Sequence, residues 1–143
     1  MKRFEYPVML THAKEGGYVV TCRDLPALVT QGDDRSDALV QAADAMDEVF
    51  ATLMKLGEPF PVASKPKRSE RLVSPPVETV AKAALYSSLQ EAKITKVQLA
   101  KQLGIDEKEV RRLLDPHYQS KLPRIAEAIA VLGKRLVITL EHA

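Results

Sequence analysis

Thr95 to Leu114, TKVQLAKQLGIDEKEVRRLL, constrains this chain more than any other stretch. Leu99, Leu103, Ile105, Val110 and Leu113 recur at the spacing of two short amphipathic helices, with Gly104 between them. The pattern predicts a first helix over 96–103, with Thr95 as its N-cap. Gly104 falls where a helix ends in the left-handed conformation, which glycine adopts cheaply. Asp106 is then placed to cap a second helix through Leu114, with a carboxylate at the positive end. Ala100 is small enough to let the two helices cross closely. A helix pair joined by a short Gly-containing turn is the unit that sets a recognition helix into the DNA major groove.

Lys108, Arg111 and Arg112 fall at i, i+3 and i+4 of the second helix and share its outer face. Such residues contact phosphates and guanine edges. The competing reading is a solvated charged face, since Asp106, Glu107, Glu109 and Asp115 accompany the three bases. The agreement of the small residue, the glycine and the apolar positions favours DNA.

The rest of the chain sets the context. Its 143 residues suffice for one or two small domains, and a hydrophobic content of 45% is that of a folded protein. No run approaches the roughly 20 apolar residues of a membrane span, and Lys2-Arg3 is not followed by a signal-type apolar segment. The chain is therefore expected to be cytoplasmic. Cys22 is the single cysteine, which excludes an internal disulfide and a cysteine-based zinc site. Charge is unevenly spread. Residues 1–64 carry six Lys/Arg and ten Asp/Glu, net −4, whereas residues 75–143 carry eleven and eight, net +3. An acidic half joined to a basic half suits a DNA-binding module beside a part with another task.

Read in order, FEYPVMLT (4–11) alternates as a half-buried strand, Glu15-Gly16-Gly17 turns, and YVVTC (18–22) is a second strand, so the two form a hairpin. Val29 to Gln31 can be a short third strand ending at Gly32. A helix capped by Asp34 follows, with Ala38, Leu39, Ala42, Met46, Val49, Phe50, Leu53 and Met54 on one face. Gly57 stops it and Pro59 and Pro61 prevent its resumption. The proline-rich basic stretch 59–76 is expected to be a linker, with 71–74 as an alternative last strand of the sheet. Val77 starts a helix ending near Ala92. Pro123 sits in the first turn of another, over 122–132, capped by Gly133. RLVITLE (135–141) reads as a strand without a partner in a helical domain. Pairing with the same strand of a second chain through Leu136, Val137, Ile138 and Leu140 would make a two-fold dimer.

The stretches FEYPVML, EGGYVVTCRDLPALVTQGD and SDALVQAADAMDEVFATLM, followed by KEVRRLLDPHYQSKLPRI and LGKRL, resemble HicB-type antitoxins with a C-terminal helix-turn-helix. The resemblance covers nearly the whole chain. It implies an α+β protein with two domains. Residues 1–74 would form a partial RNase H-like β-β-β-α-β domain that masks a small HicA-like RNase toxin. Residues 77–143 would form a helix-turn-helix domain, ending in a dimerising strand, that binds and represses the module's own promoter. On this reading Gln98, Lys108, Arg111, Arg112 and Lys121 contact operator DNA. Strand-end and loop positions make Tyr18, Asp24, Leu25 and Pro26 the candidates for toxin contact, with core packing the stronger competing reading for Tyr18 and Leu25.

No cofactor, metal site or catalytic residue is expected. Glu5 is the one acid in the first strand, and Asp24, Asp33 and Asp34 fall in loops or at a cap, whereas two-metal nucleases converge several carboxylates. His12, His117 and His142 lack ligand spacing, and no GxSxG, Walker or GxGxxG motif occurs. The alternative to an antitoxin is a helix-turn-helix regulator whose N-terminal domain senses a small molecule; no set of convergent polar groups marks such a pocket.

Overall fold

The computed structural model describes residues 2–142. The elements run β1 (Tyr6–His12), β2 (Tyr18–Thr21), β3 (Val29–Gly32), α1 (Arg35–Leu56), β4 (Glu70–Val73), α2 (Val77–Ala92), α3 (Lys96–Leu103), α4 (Glu107–Leu113) and α5 (Leu122–Val131). The chain divides into two compact units between Val80 and Ala81, inside α2.

The first unit is an antiparallel sheet in the order β3-β2-β1-β4, with α1 against it. Tyr6 and Val8 of β1 turn into the core, joined by Val20 of β2 and Val73 of β4; the expected alternation fails at Pro7, which is buried as well. Helix α1 answers with Ala38, Ala42, Met46, Phe50, Ala51 and Met54, a stripe at helical spacing. Phe50 is the centre. It is fully buried, with the rings of Phe4, Tyr6 and Phe60 at 6.5, 6.0 and 4.6 Å. The start of α1 is fixed twice. The Asp34 carboxylate accepts from Asp37 N at 2.7 Å, and the Asp37 carboxylate accepts from Asp33 N at 2.8 Å. Gly57, with φ 71°, ends it, and its N–H reaches the carbonyls of Leu53 and Met54.

Gly32 has a steric task. A Cβ there would stand 2.3 Å from Ala38 N and 2.4 Å from Ala38 Cα. A side chain at this position would push α1 off the end of β3.

The stretch expected to be a linker belongs to the first unit instead. Tyr6 Oη donates to Pro61 O at 2.7 Å, and Phe60 fills the aromatic core. Ser64 donates to both Asp24 oxygens, from its hydroxyl at 2.6 Å and its N–H at 2.9 Å. Arg23 meets the Glu70 carboxylate through two bonds of 2.9 Å and donates to Lys65 O at 2.8 Å. Each tie spans some forty or more residues of sequence, and β4 then pairs with β1 from Tyr6↔Val73 to Met9↔Glu70. The element order of this unit is β-β-β-α-β, with the alternative strand at 71–74 observed at 70–73.

The second unit is helical. Over 81–89, α2 is buried almost all round, exposing little beyond Ala84. Its core joins Leu85 and Leu89 to Leu99, Val110, Leu113, Ile125, Ala128 and Ile129. The expected C-terminal strand is not formed. Among the described residues, 134–142 pair with no other segment, and a ladder needs a partner. Leu136 is half-buried there, while Val137, Ile138 and Leu140 are exposed. No helix among the described residues is long and apolar enough to cross a membrane.

Candidate functional site

The α3–α4 pair is built by local chemistry. Thr95 Oγ1 accepts from Gln98 N at 3.1 Å, and Gln98 Oε1 accepts from Thr95 N at 2.9 Å, a reciprocal capping box. Gly104 ends α3 at φ 67°, with nothing near its missing side chain. Ile105 N then returns to Ala100 O at 3.0 Å, which closes the turn. Asp106 stands at the N-cap position of α4 as its place in the sequence predicts, but its side chain makes no capping bond. The start of α4 instead relies on Asp106 O, which accepts from Glu109 N and Val110 N.

The residues expected to touch DNA fall into distinct settings. Lys108 and Arg111 are exposed on α4. Gln98 is exposed in the first turn of α3, with its carbonyl oxygen committed to the capping box. Arg112 is half-buried: its guanidinium lies over the Tyr118 ring, 5.1 Å from the centroid. Lys121 is exposed at the N-cap of α5, and it lines the same cleft as Arg112. Arg111 and Arg112, adjacent in sequence, therefore face different surroundings.

A buried lysine sets this region. Lys82 of α2 is fully buried, and its ammonium donates to Arg112 O at 3.0 Å, Asp115 O at 2.7 Å, Ser120 Oγ at 2.9 Å and Tyr118 O. A cation at the C-terminal end of α4 meets the negative end of the helix dipole and adds a charged donor to carbonyls that already accept one backbone N–H each, Arg112 O from Asp115 N and Asp115 O from Tyr118 N. The loop 115–120 is thus held from beneath. Sequence reasoning missed Lys82, which reads as an ordinary helix-surface lysine because its acceptors lie 30 to 38 residues downstream.

In the first unit, Tyr18 stands at the end of β2 between two partners. The His12 ring lies 4.4 Å away, centroid to centroid, and the Arg35 guanidinium is 5.8 Å from the Tyr18 ring. Pro26 is exposed. Leu25, at 2% exposure, belongs to the core, and Asp24 is engaged by Ser64. Leu25 and Asp24 therefore shape this loop from inside. Cys22 is buried as well; burial pushes its thiol above the ordinary value, with the Asp24 and Glu70 charges adding, against N–H donation from Leu25 and Asp24. Burial, with smaller contributions from Asp24 and Cys22, pushes the Tyr6 phenol up to about 12. Glu70 goes the other way. Arg23 above all, and the Lys67 N–H, hold its carboxyl down at about 2 against the cost of burial. Among the described residues no group of three or more His, Cys, Asp or Glu side chains could hold a metal ion.

With the basic stretch assigned to the first unit, the charge division changes. Residues to Val80 carry ten Lys/Arg and twelve Asp/Glu, net −2, and residues from Ala81 carry eleven and seven, net +4.

Residues 5–84 match the model of a family described as the HicB-like antitoxin of bacterial toxin-antitoxin systems. Antitoxin HicB 1 of Photorhabdus laumondii is 29% identical over 141 residues, covering 99% of this chain and 90% of that protein. Antitoxin HicB of Escherichia coli is 31% identical over 135 residues, covering 94% of this chain and 98% of that one. Antitoxin HicB of Pseudomonas fluorescens is 29% identical over 141 residues, covering 98% and 96%.

Proposed function

This chain belongs to the HicB-like antitoxin family, and from that premise we propose that it neutralises a small HicA-like RNase toxin and represses its own operon. The single observation that carries the reading is the full-length match to HicB antitoxins, which spans both units. The first unit, with its β-β-β-α-β order and partial RNase H likeness, binds the toxin. Tyr18 and Pro26 offer accessible contact area, while Asp24 and Leu25 hold the loop in shape. A toxin that binds RNA is basic, and a net charge of −2 on this unit is compatible with it.

The second unit acts as a helix-turn-helix. Helix α4 enters the major groove, with Lys108 and Arg111 aimed at base edges and phosphates, and Gln98 approaching from the start of α3. The +4 charge of the unit supports association with DNA. Two chains pair through Leu136, Val137, Ile138 and Leu140; the exposure of the last three in the single chain supports an interchain ladder. A two-fold dimer presents two recognition helices to two half-sites.

The experiment separates the two tasks. Replacing Arg111 and Arg112 together by Ala should abolish repression of a promoter reporter and leave toxin neutralisation intact. Loss of neutralisation in a variant that stays folded would contradict the division of labour. A ligand-sensing regulator would instead give a metabolite hit in a thermal-shift screen and no relief of toxicity.

A further inference from the structure

Behind Arg112, the end of α4, the loop after it and the start of α5 enclose an open cleft of about 200 Å³. Arg112, Lys121 and Arg124 line it together with Tyr118, Gln119 and Glu109. Three cations against one carboxylate leave it at net +2. The carboxylate is already partly answered, since Glu109 Oε2 lies 3.9 Å from Arg124 Nη2. The Arg112 guanidinium lies over the Tyr118 ring, 5.1 Å from its centroid, a cation–π contact that favours this placement of the side chain at the cleft. The buried Lys82 ammonium ties the carbonyls of Arg112, Asp115 and Tyr118 and the Ser120 hydroxyl from beneath, so the floor of the cleft is fixed before anything binds. A small, open, cationic cleft with a planar guanidinium and an amide side chain suits a tetrahedral oxyanion better than an apolar ligand.

We propose that this cleft seats a phosphodiester group of the DNA backbone and that Arg124, with Arg112 and Lys121, is a phosphate ligand. This rests on the proposed DNA binding. It divides the two neighbouring arginines: Arg111, exposed on α4, reads the groove, and Arg112, held on Tyr118, fixes the register of the protein on the duplex.

The test measures affinity for a duplex carrying the operon's own promoter and for a scrambled duplex of equal length, each from 50 to 200 mM salt. The full chain is compared with Arg124→Gln, Arg111→Gln and Lys93→Gln. Lys93 is exposed and lies outside the cleft, so its variant controls for simple loss of charge. Arg124→Gln should weaken both duplexes alike, by roughly 3- to 10-fold, and reduce the slope of log affinity against log salt by about 0.9. Arg111→Gln should instead cut the preference for the promoter over the scrambled duplex by roughly 5- to 100-fold. Lys93→Gln should leave affinity and slope unchanged. If the unmodified chain binds and Arg124→Gln keeps its affinity and slope, or loses no more than Lys93→Gln, the phosphate site is refuted while DNA binding stands. If the unmodified chain binds neither duplex, the DNA-binding reading falls and the cleft with it.

Discussion

Replacing Lys82 by methionine should loosen α4 selectively. Methionine keeps the buried stem and removes the ammonium, so Arg112 O, Asp115 O, Tyr118 O and Ser120 Oγ lose that donor. Tyr118 is 44% exposed, and its stretch of loop can recover water. The carbonyls of Arg112 and Asp115, bonded at 3.0 and 2.7 Å, each keep a backbone donor, Asp115 N and Tyr118 N, and lose the charged one. At about 1.5–3 kcal/mol for each hydrogen bond to a charged group, the loss is about 3–6 kcal/mol. Removing the charge also removes its desolvation penalty, which offsets part of that. The expected net cost is about 2–4 kcal/mol. Native-state hydrogen exchange reads this directly. If the amides of α4 exchange by opening of the second unit, they should exchange roughly 30- to 700-fold faster in Lys82→Met. Amides of α1 in the first unit should be unchanged. Protection of α4 within threefold of the unmodified chain would refute the account of Lys82 as the residue that fixes this loop.

Gly32→Ala should prevent the first unit from folding, because its Cβ would meet Ala38 backbone at 2.3 Å; Gly57→Ala, which meets nothing, should cost about 1–2 kcal/mol for its left-handed φ, and urea melts of both variants compare them. The Glu70 carboxyl is held at about 2 against an ordinary 4.5. Its contribution to stability is therefore full above about pH 4.5 and lost as the pH falls toward 2. The gap in urea midpoint between the unmodified chain and Glu70→Gln should shrink over that window; a gap independent of pH would contradict the role of Arg23. Ile138→Asp, in the exposed C-terminal segment, should shift sedimentation from dimer to monomer and leave α5 folded; an unchanged dimer would place the interface elsewhere.

The readable parts of the fold are those punctuated by local chemistry. Helix α2 begins directly after Pro76, α3 runs from its Thr95 cap to Gly104, α5 takes Pro123 in its first turn, and α1 ends at Gly57 as its left-handed φ requires. Composition misled where long-range pairing decided. Prolines and lysines between 59 and 69 look like a tether, yet Phe60, Pro61 and Ser64 are held by Phe4, Tyr6 and Asp24 from far upstream. Glu70, the lone acid in that basic run, was the available signal, since a single carboxylate among bases invites a guanidinium partner such as Arg23. Periodicity grouped Arg111 with Arg112 on one face, but only the fold brings Tyr118 beneath one of them. No local pattern marks Arg124 or Tyr118, because the loop that brings Tyr118 to the cleft beside Arg124 is held by Lys82, a contact made across distant sequence. The strand expected at 135–141 needs hydrogen-bonding partners that a single chain does not supply.

The most direct test of the central claim expresses the small reading frame beside this gene, with and without this chain, and follows growth and co-purification. The account predicts growth arrest by the small protein alone, relief when this chain is present, and elution of the two together through the first unit. A small protein that is harmless, or toxic without relief and without a complex, would contradict it.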